Sequence, residues 1–232
     1  MSFIVGIKSG LSLNQIRFIC VGSSILSDIN LKIQYSKYNI LYGCDDKPIL
    51  LEKAIIKENG LFFTVDLSQK KTVGFKAKRN PVAVIDLSKK SFYLIQDFWE
   101  PIQRPPSGEI VLLPDTFYLL ASKERVRIPL EFCAEIVAYD VSTGEFRSHY
   151  AGFFANGFGF GKNGECLGTA AVFEVRAHNV PLRLTDGQII GKMIFEKTSE
   201  IPRMVYGAGL GSHYVGPNPR LSKYFKNFDK WL

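Results

Sequence analysis

Glu174 stands in the middle of "AVFEVRAHNVPLRLTDGQIIGKMIFEK", Ala171 to Lys197, where apolar and polar residues alternate as in a β-strand. A strand gains little from a carboxylate. The two-residue period puts Glu174 on one face with Val172, Arg176 and His178, while Ala171, Phe173, Val175 and Ala177 point the other way. Such a face can simply be the wet side of an antiparallel sheet, with His178 structural at its edge. A carboxylate in a pocket that dries around it can instead act as general base and then as general acid. The residues alone leave both readings open.

Other chemistries fit less well. The stretch "GFFANGFGFGKNGECLG" contains G-x-G-x-x-G at Gly159, Gly161 and Gly164, but no strand and helix are predicted around it as dinucleotide binding requires. A magnesium-binding P-loop also fails, because Asn163 follows Gly161-Lys162 where Ser or Thr is needed. The loop is expected to be a flexible connection between strands. Cys20, Cys44, Cys133 and Cys166 form no C-x-x-C pair and have no His at ligand spacing, so they read as isolated buried thiols. The three histidines lack the H-x-E context of a zinc deaminase, so no metal site of the protein's own is expected.

The elements that must position these residues belong to a chain of 232 residues, 46% hydrophobic and 22% charged, enough for one sizeable core. No apolar run approaches the ~18 residues of a membrane span, and "MSFIVGIKSG" lacks the parts of a secretory signal, so a cytoplasmic, non-membrane protein is expected. The net charge of +7 is compatible with nucleic acid, a phosphate-bearing small molecule or mere solubility as its reason. Lysines spread along the chain, without clustering among aromatics, weaken a nucleic-acid reading.

Setting Gly10 on Gly187 aligns "FIVGIKSGLSLNQIRF" with "VPLRLTDGQIIGKMIF" without a gap, each reading as strand, tight turn and strand of a β-hairpin. Residues 24–42 offer a helix with Ser27 or Asp28 as N-cap and Leu26, Ile29 and Ile33 as its apolar stripe. Beyond it, short β-type runs bounded by Pro and Gly point to an antiparallel barrel or jelly roll. In "NPRLSKYFKNFDKWL", Pro219 suits a helical first turn; Leu221, Phe225, Phe228 and Trp231 would dock while Arg220, Lys223 and Lys230 stay wet.

Read together, "FYLLASKERVRIP", "GEFRSHYAGFFANGFG", "AVFEVRAHNVPLRLTDGQIIGKMIFE" and "YGAGLGSHYVG" with "RLSKYF" resemble the long, two-domain form of dCTP deaminase, a family related to the trimeric dUTPases. "DFWEP" and "GEFRSHYAGFF" are specific to the long form, and the resemblance covers essentially the whole chain. It implies a mainly β fold, a distorted jelly-roll-like β-barrel with a few short helices and active sites formed where barrels meet. Residues 1–20 would then be the closing hairpin of an otherwise missing first barrel, 21–60 a helical connection, and 61–232 the deaminase barrel with its tail.

The reaction implied is hydrolytic deamination of dCTP to dUTP and ammonia, with no catalytic zinc. Glu174 matches the glutamate that activates water in that family. Arg147, His149 and Ala151 fall on the strand lining the base and sugar pocket, and Ser142 and Thr143 on the phosphate-binding segment. Tyr206, Tyr214 and Lys223 match tail positions that close over the triphosphate, with Mg2+ as its counterion. The partners implied are dCTP and either further copies of the chain or a separately encoded N-terminal barrel.

Three departures stand out. An Asp-Pro-Gly-aromatic turn appears as Ala155-Asn156-Gly157-Phe158, "VGPN" replaces glutamines after Tyr214, and the Ser-Ser-x-x-Arg segment of the first domain is absent. A dUTPase and a catalytically inactive nucleotide-binding or assembly barrel are the competing readings. Against the dUTPase, Phe153-Phe154-Ala155 occupy the strand where its aspartate would stand.

Overall fold

The computed structural model describes residues 3–11, 18, 22, 25–137, 146–148 (backbone), 152–177, 179–207 and 212–226. Two antiparallel sheets carry the fold. One runs β12 (Phe153–Phe154), β10 (Phe132–Val137), β15 (Ile189–Lys197), β4 (Gly60–Thr64), β3 (Ile56–Lys57). The other runs β11 (Phe146–Ser148), β13 (Thr169–Ala177), β9 (Phe117–Val126), β5 (Thr72–Ala77), β7 (Trp99–Gln103), with β2 (Leu41–Tyr42) paired to the end of β9. Two small pairs complete the set: β1 (Val5–Gly6) parallel to β6 (Ile85–Asp86), and β14 (Leu182–Thr185) against β8 (Glu109–Leu112). The mainly β, jelly-roll-like expectation holds, although among the described residues hydrogen bonds do not close the sheets into one barrel. No helix among them is long and apolar enough to cross a membrane.

The alternation in β13 explains how the sheets stack. Ala171, Phe173, Val175 and Ala177 are buried in the main core, which Leu61 and Phe63 of β4 and Met193 and Phe195 of β15 enter from the opposite sheet. Phe173 meets Phe63 ring to ring at 6.1 Å. Full burial of such side chains contributes about 1.5–3 kcal/mol each.

Helix α1 (Asp28–Tyr38) forms where the sequence predicts it. Ser27 caps it, its Oγ accepting the Asn30 N–H at 3.4 Å, and Asn39 ends it in the left-handed region at φ 48°. Of its expected apolar stripe, Leu26 packs against the main core but Ile29 and Ile33 do not. Leu31 and Tyr35 are buried, whereas Ile29 and Ile33 are 73% and 56% exposed. Both pairs have i, i+4 spacing but lie on opposite sides of the helix, and periodicity alone does not choose between them.

The stretch 180–195 corrects a second expectation. Its turn is present, with Gly187 at φ 78° and the Gln188 N–H bonded to the Thr185 carbonyl at 3.0 Å. The flanking strands do not pair with each other: β14 joins β8, while β15 joins β10 and β4. Asp186 fixes this corner by accepting the Leu67 N–H at 2.9 Å and pairing with Lys123 at 2.6 Å. It is an arch between sheets, not a hairpin. In the N-terminal counterpart Gly10 has φ 86°, but 12–17 lie outside the described residues and Val5 pairs with Ile85.

As far as Lys226 the tail docks without the expected helix. Leu221 and Phe225 are buried, but residues 223–226 bond to the segment 91–93: Ser91 N–H to Lys223 O, Phe92 N–H to Tyr224 O, and Lys226 N–H to Tyr93 O. These bonds replace the intrahelical ones. Phe228, Lys230 and Trp231 lie outside the described residues. The glycine-rich loop is anchored where a flexible connection was expected. Asn156 is buried and donates to Leu130 O and Thr198 Oγ1, Ile128 N–H bonds Phe158 O at 2.8 Å, and a Cβ on Gly159 would lie 2.1 Å from the Val126 carbonyl oxygen. Cys133 and Cys166 are buried thiols as expected, Cys44 is exposed, and Cys20 lies outside the described residues.

Candidate active site

Glu174 is placed by register. It lies opposite Leu119 of β9, which in turn lies opposite Phe75 of β5, so these three side chains share one face of the six-stranded sheet. That face is not simply wet. A second apolar cluster covers it, built from Phe75, Trp99 and Phe117 of the sheet and from Leu221 and Phe225 of the tail, with Phe3 and Val5 packed against it. The covering segments come from both ends of the chain, which strand alternation does not reveal.

Between the sheet and this cover lies a cavity of about 790 Å³. Its walls are largely aromatic and aliphatic, and Glu174 is the one carboxylate among the described residues lining it. The tail loop brings hydroxyl, imidazole and guanidinium groups to the same space. The Tyr214 N–H donates to Tyr206 Oη at 3.1 Å, and Arg220 Nη1 donates to the His213 carbonyl at 3.1 Å. His213 Nε2 lies 2.9 Å from the Leu221 carbonyl, which can only accept, so Nε2 carries the proton. Thr169 Oγ1 donates to Gly216 O at 2.6 Å and stitches the start of β13 to this loop.

The electrostatics follow from the enclosure. Crowding around the Tyr214 phenol, then the charges of Tyr206 and Glu174, push its pKa up to about 12. Since 43% of Tyr214 still meets solvent, this marks a cavity mouth and not a sealed interior. Burial likewise raises Tyr206, opposed by the bond it accepts from Tyr214. Burial lowers the His213 pKa; the bond to Leu221 opposes this, and nearby Arg220 and Lys223 reinforce it. Both tyrosines are neutral donors at neutral pH, and the imidazole tends to the uncharged form.

Of the residues singled out in the sequence, the structure brings Glu174, Tyr206 and Tyr214 to one cavity. Lys223 is exposed, with Nζ 5.5 Å from the Tyr224 ring centroid, and is not among the wall residues. Arg147 occupies the register position opposite Arg176. Ser142, Thr143, His149 and Ala151 lie outside the described residues. Arg220, expected to be wet, lines the cavity, as do His213, Asn218 and Thr169, which sequence reasoning did not select. The Gly216-Pro217-Asn218-Pro219 punctuation was the available signal, because a broken backbone frees Arg220 from helical phase.

A single carboxylate does not make an oxygen cage for a divalent ion. Among the described residues no group of three or more His, Cys, Asp and Glu side chains gathers to hold one. The described residues do not fit a magnesium ion held by the protein itself.

Comparison with known proteins places the chain beside a family and a solved structure. Residues 36–225 match the family model of the 2'-deoxycytidine 5'-triphosphate deaminase (DCD) C-terminal domain. The crystal structure of 2'-deoxycytidine 5'-triphosphate deaminase from Agrobacterium tumefaciens superposes with a TM-score of 0.65 at 33% sequence identity, covering 78% of this chain and 50% of that one. This chain therefore spans about half the length of that enzyme. No curated protein matches.

Proposed function

Because the chain belongs to the family of the 2'-deoxycytidine 5'-triphosphate deaminase C-terminal domain, we propose that it deaminates dCTP hydrolytically to dUTP and ammonia at the cavity containing Glu174. One observation carries this reading. The single carboxylate among the described cavity residues sits on a sheet face roofed by apolar side chains, where a glutamate can exchange protons with a trapped water.

In this mechanism the Glu174 carboxylate takes a proton from water as the water oxygen bonds to C4 of cytosine. That proton passes to ring N3. The second water proton moves through Glu174 to the exocyclic amine, the C4–N bond breaks, and ammonia leaves as the C4 carbonyl forms. Tyr206 and Tyr214 offer hydroxyls and Lys223 a cation to the triphosphate, while Ser142, Thr143, Arg147, His149 and Ala151 complete the nucleotide site. Magnesium arrives with the nucleotide as a counterion of its phosphates. Action in the cytoplasm, on a free nucleotide, belongs to the same proposal.

Purified chain incubated with dCTP tests it, ammonia and dUTP being measured together. The assay is run alone and with a separately encoded N-terminal barrel, the other source of the half that the matched enzyme has in addition. A preparation that binds dCTP but releases neither product under either condition rules the deaminase reading out.

A further inference from the structure

One wall of the Glu174 cavity is a segment that the rest of the fold holds lightly. Val5 of β1 and Ile85 of β6 stand opposite each other and both line the cavity, as does Phe3 just before β1. Ile4 and Val84, one step back along both strands, alternate to the other face and are 73% and 50% exposed. The ladder is thus apolar on both faces and covered on one. Parallel strands ordinarily have both faces covered, and two strands alone are marginal in water.

What holds β1 down is slight. The ladder is two residues long, with the Ile85 N–H donating to Ile4 O at 3.1 Å and the Leu87 N–H to Gly6 O at 3.3 Å. Lys8 pairs with Asp86 at 2.8 Å, but at the surface, where an ion pair contributes little. The remaining hold is apolar, and Phe3, Val5 and Leu11 are only partly buried against the second cluster. Phe3 stands edge-on to the Trp99 ring at 5.0 Å, and Trp99 is buried with no acceptor for its indole N–H among the described residues. Lifting Phe3 off this ring opens a route to water for that donor, which lowers the cost of lifting. Gly10, at φ 86° with open space where a Cβ would stand, offers a pivot beyond the segment.

We propose that the segment Phe3 to Gly6 is a lid of the cavity, lifting to exchange the ligand and, when down, closing the apolar roof over the sheet face that carries Glu174. Its exchange of nucleotide rests on the reading of this cavity as the dCTP site; the lifting itself does not. Elements that move over a site are drawn from the least stable parts of a fold, and this segment has few buried contacts.

Hydrogen exchange of the full chain, without nucleotide, reads the lifting. The Ile85 and Leu87 amides, bonded to the lid, should exchange at least about tenfold faster than the amides of β9 and β13; equal protection makes β1 a fixed wall and overturns the proposal. Ile4→Cys together with Val84→Cys, both outside the cavity wall, supplies a reversible lock, since neighbouring strands lie about 4.8 Å apart, within disulfide reach. Oxidation, confirmed by peptide mass, should slow exchange at Ile85 and Leu87. It should also slow dCTP association and dissociation in stopped flow by about tenfold or more, and a thiol reductant should restore both. Unchanged nucleotide rates in the locked chain overturn the proposal. If the double variant does not fold or does not oxidise, Phe3→Ala decides: amide exchange and dCTP dissociation should both quicken, and parent-like values in both overturn the lid. The two readings fail separately. A chain whose lid lifts and locks but which never converts dCTP loses the deaminase and keeps the lid, whereas one that exchanges and converts dCTP equally fast locked and unlocked does the reverse.

Discussion

At the scale of single residues, the chemistry proposed for Glu174 depends on what covers it. Glu174→Gln preserves shape and hydrogen bonding but removes the base, so turnover should fall by roughly 10²–10⁴-fold with the fold intact. Steady-state kinetics beside a thermal melt checks both halves of that statement, and near-normal deamination by the variant removes Glu174 from the mechanism. His213 provides a second measurement. Its pKa is depressed in the folded chain by burial first, and by Arg220 and Lys223. The unfolded chain therefore binds the proton more readily. Stability from His213 is complete above the ordinary value near ~6.5 and is lost as the pH falls through it. Melting temperature should drop between pH 8 and pH 5 less steeply in His213→Gln than in the parent; parallel curves would mean that the imidazole does not couple to folding.

At the scale of elements, β13 is gripped from both sides, and one glycine sets its spacing. A Cβ on Gly191 of β15 would lie 2.2 Å from the Phe173 ring, next in sequence to Glu174. Gly191→Ala should overpack the core at a cost of about 1–3 kcal/mol. The strand that carries Glu174 must then shift, so denaturant unfolding and turnover should both register the change; wild-type values in both would show that Phe173 can swing aside freely. In α1 the two candidate stripes separate cleanly. Leu31→Ala should cost about 2–5 kcal/mol, whereas Ile33→Ala, on the exposed side, should stay within about 0.5 kcal/mol. Reversed effects in urea titrations would restore the stripe that the sequence suggested.

At the scale of the whole molecule, both ends of the chain close over the same sheet face. Phe3 meets the rings of Phe98 and Trp99 at 5.3 and 5.0 Å, and Phe225 meets Phe98 at 5.6 Å. Replacing Leu221 and Phe225 together by alanine should lower the melting temperature and also weaken nucleotide binding, because Tyr214 and Arg220 stand on the same docked loop. A lower melting temperature with unchanged affinity would make the tail purely structural. Ile29 and Ile33, four residues apart on α1, form an exposed apolar pair that association with another chain would cover. Light scattering on a size-exclusion column should find species heavier than one chain; a strictly monomeric chain that deaminates dCTP at full rate removes the need for a partner.

The sequence by itself determined what is local. Alternation placed Glu174 and Arg176 on one face of β13, Ser27 marked the start of α1, and Asp186-Gly187 marked a turn, because period, caps and turn residues act over a few positions. The family was legible for the same reason, in contiguous stretches of strand and tail. Where those elements go was not legible. The strands on either side of Gly187 have hairpin character, yet each finds a different sheet. Ile29 and Leu31 begin equally regular stripes, and only the core below α1 selects between them. Glu174's face reads as solvated until Phe3 and Phe225, more than two hundred residues apart in the chain, pack over it. Burial depends on which distant surfaces meet, and no short-range pattern encodes that meeting.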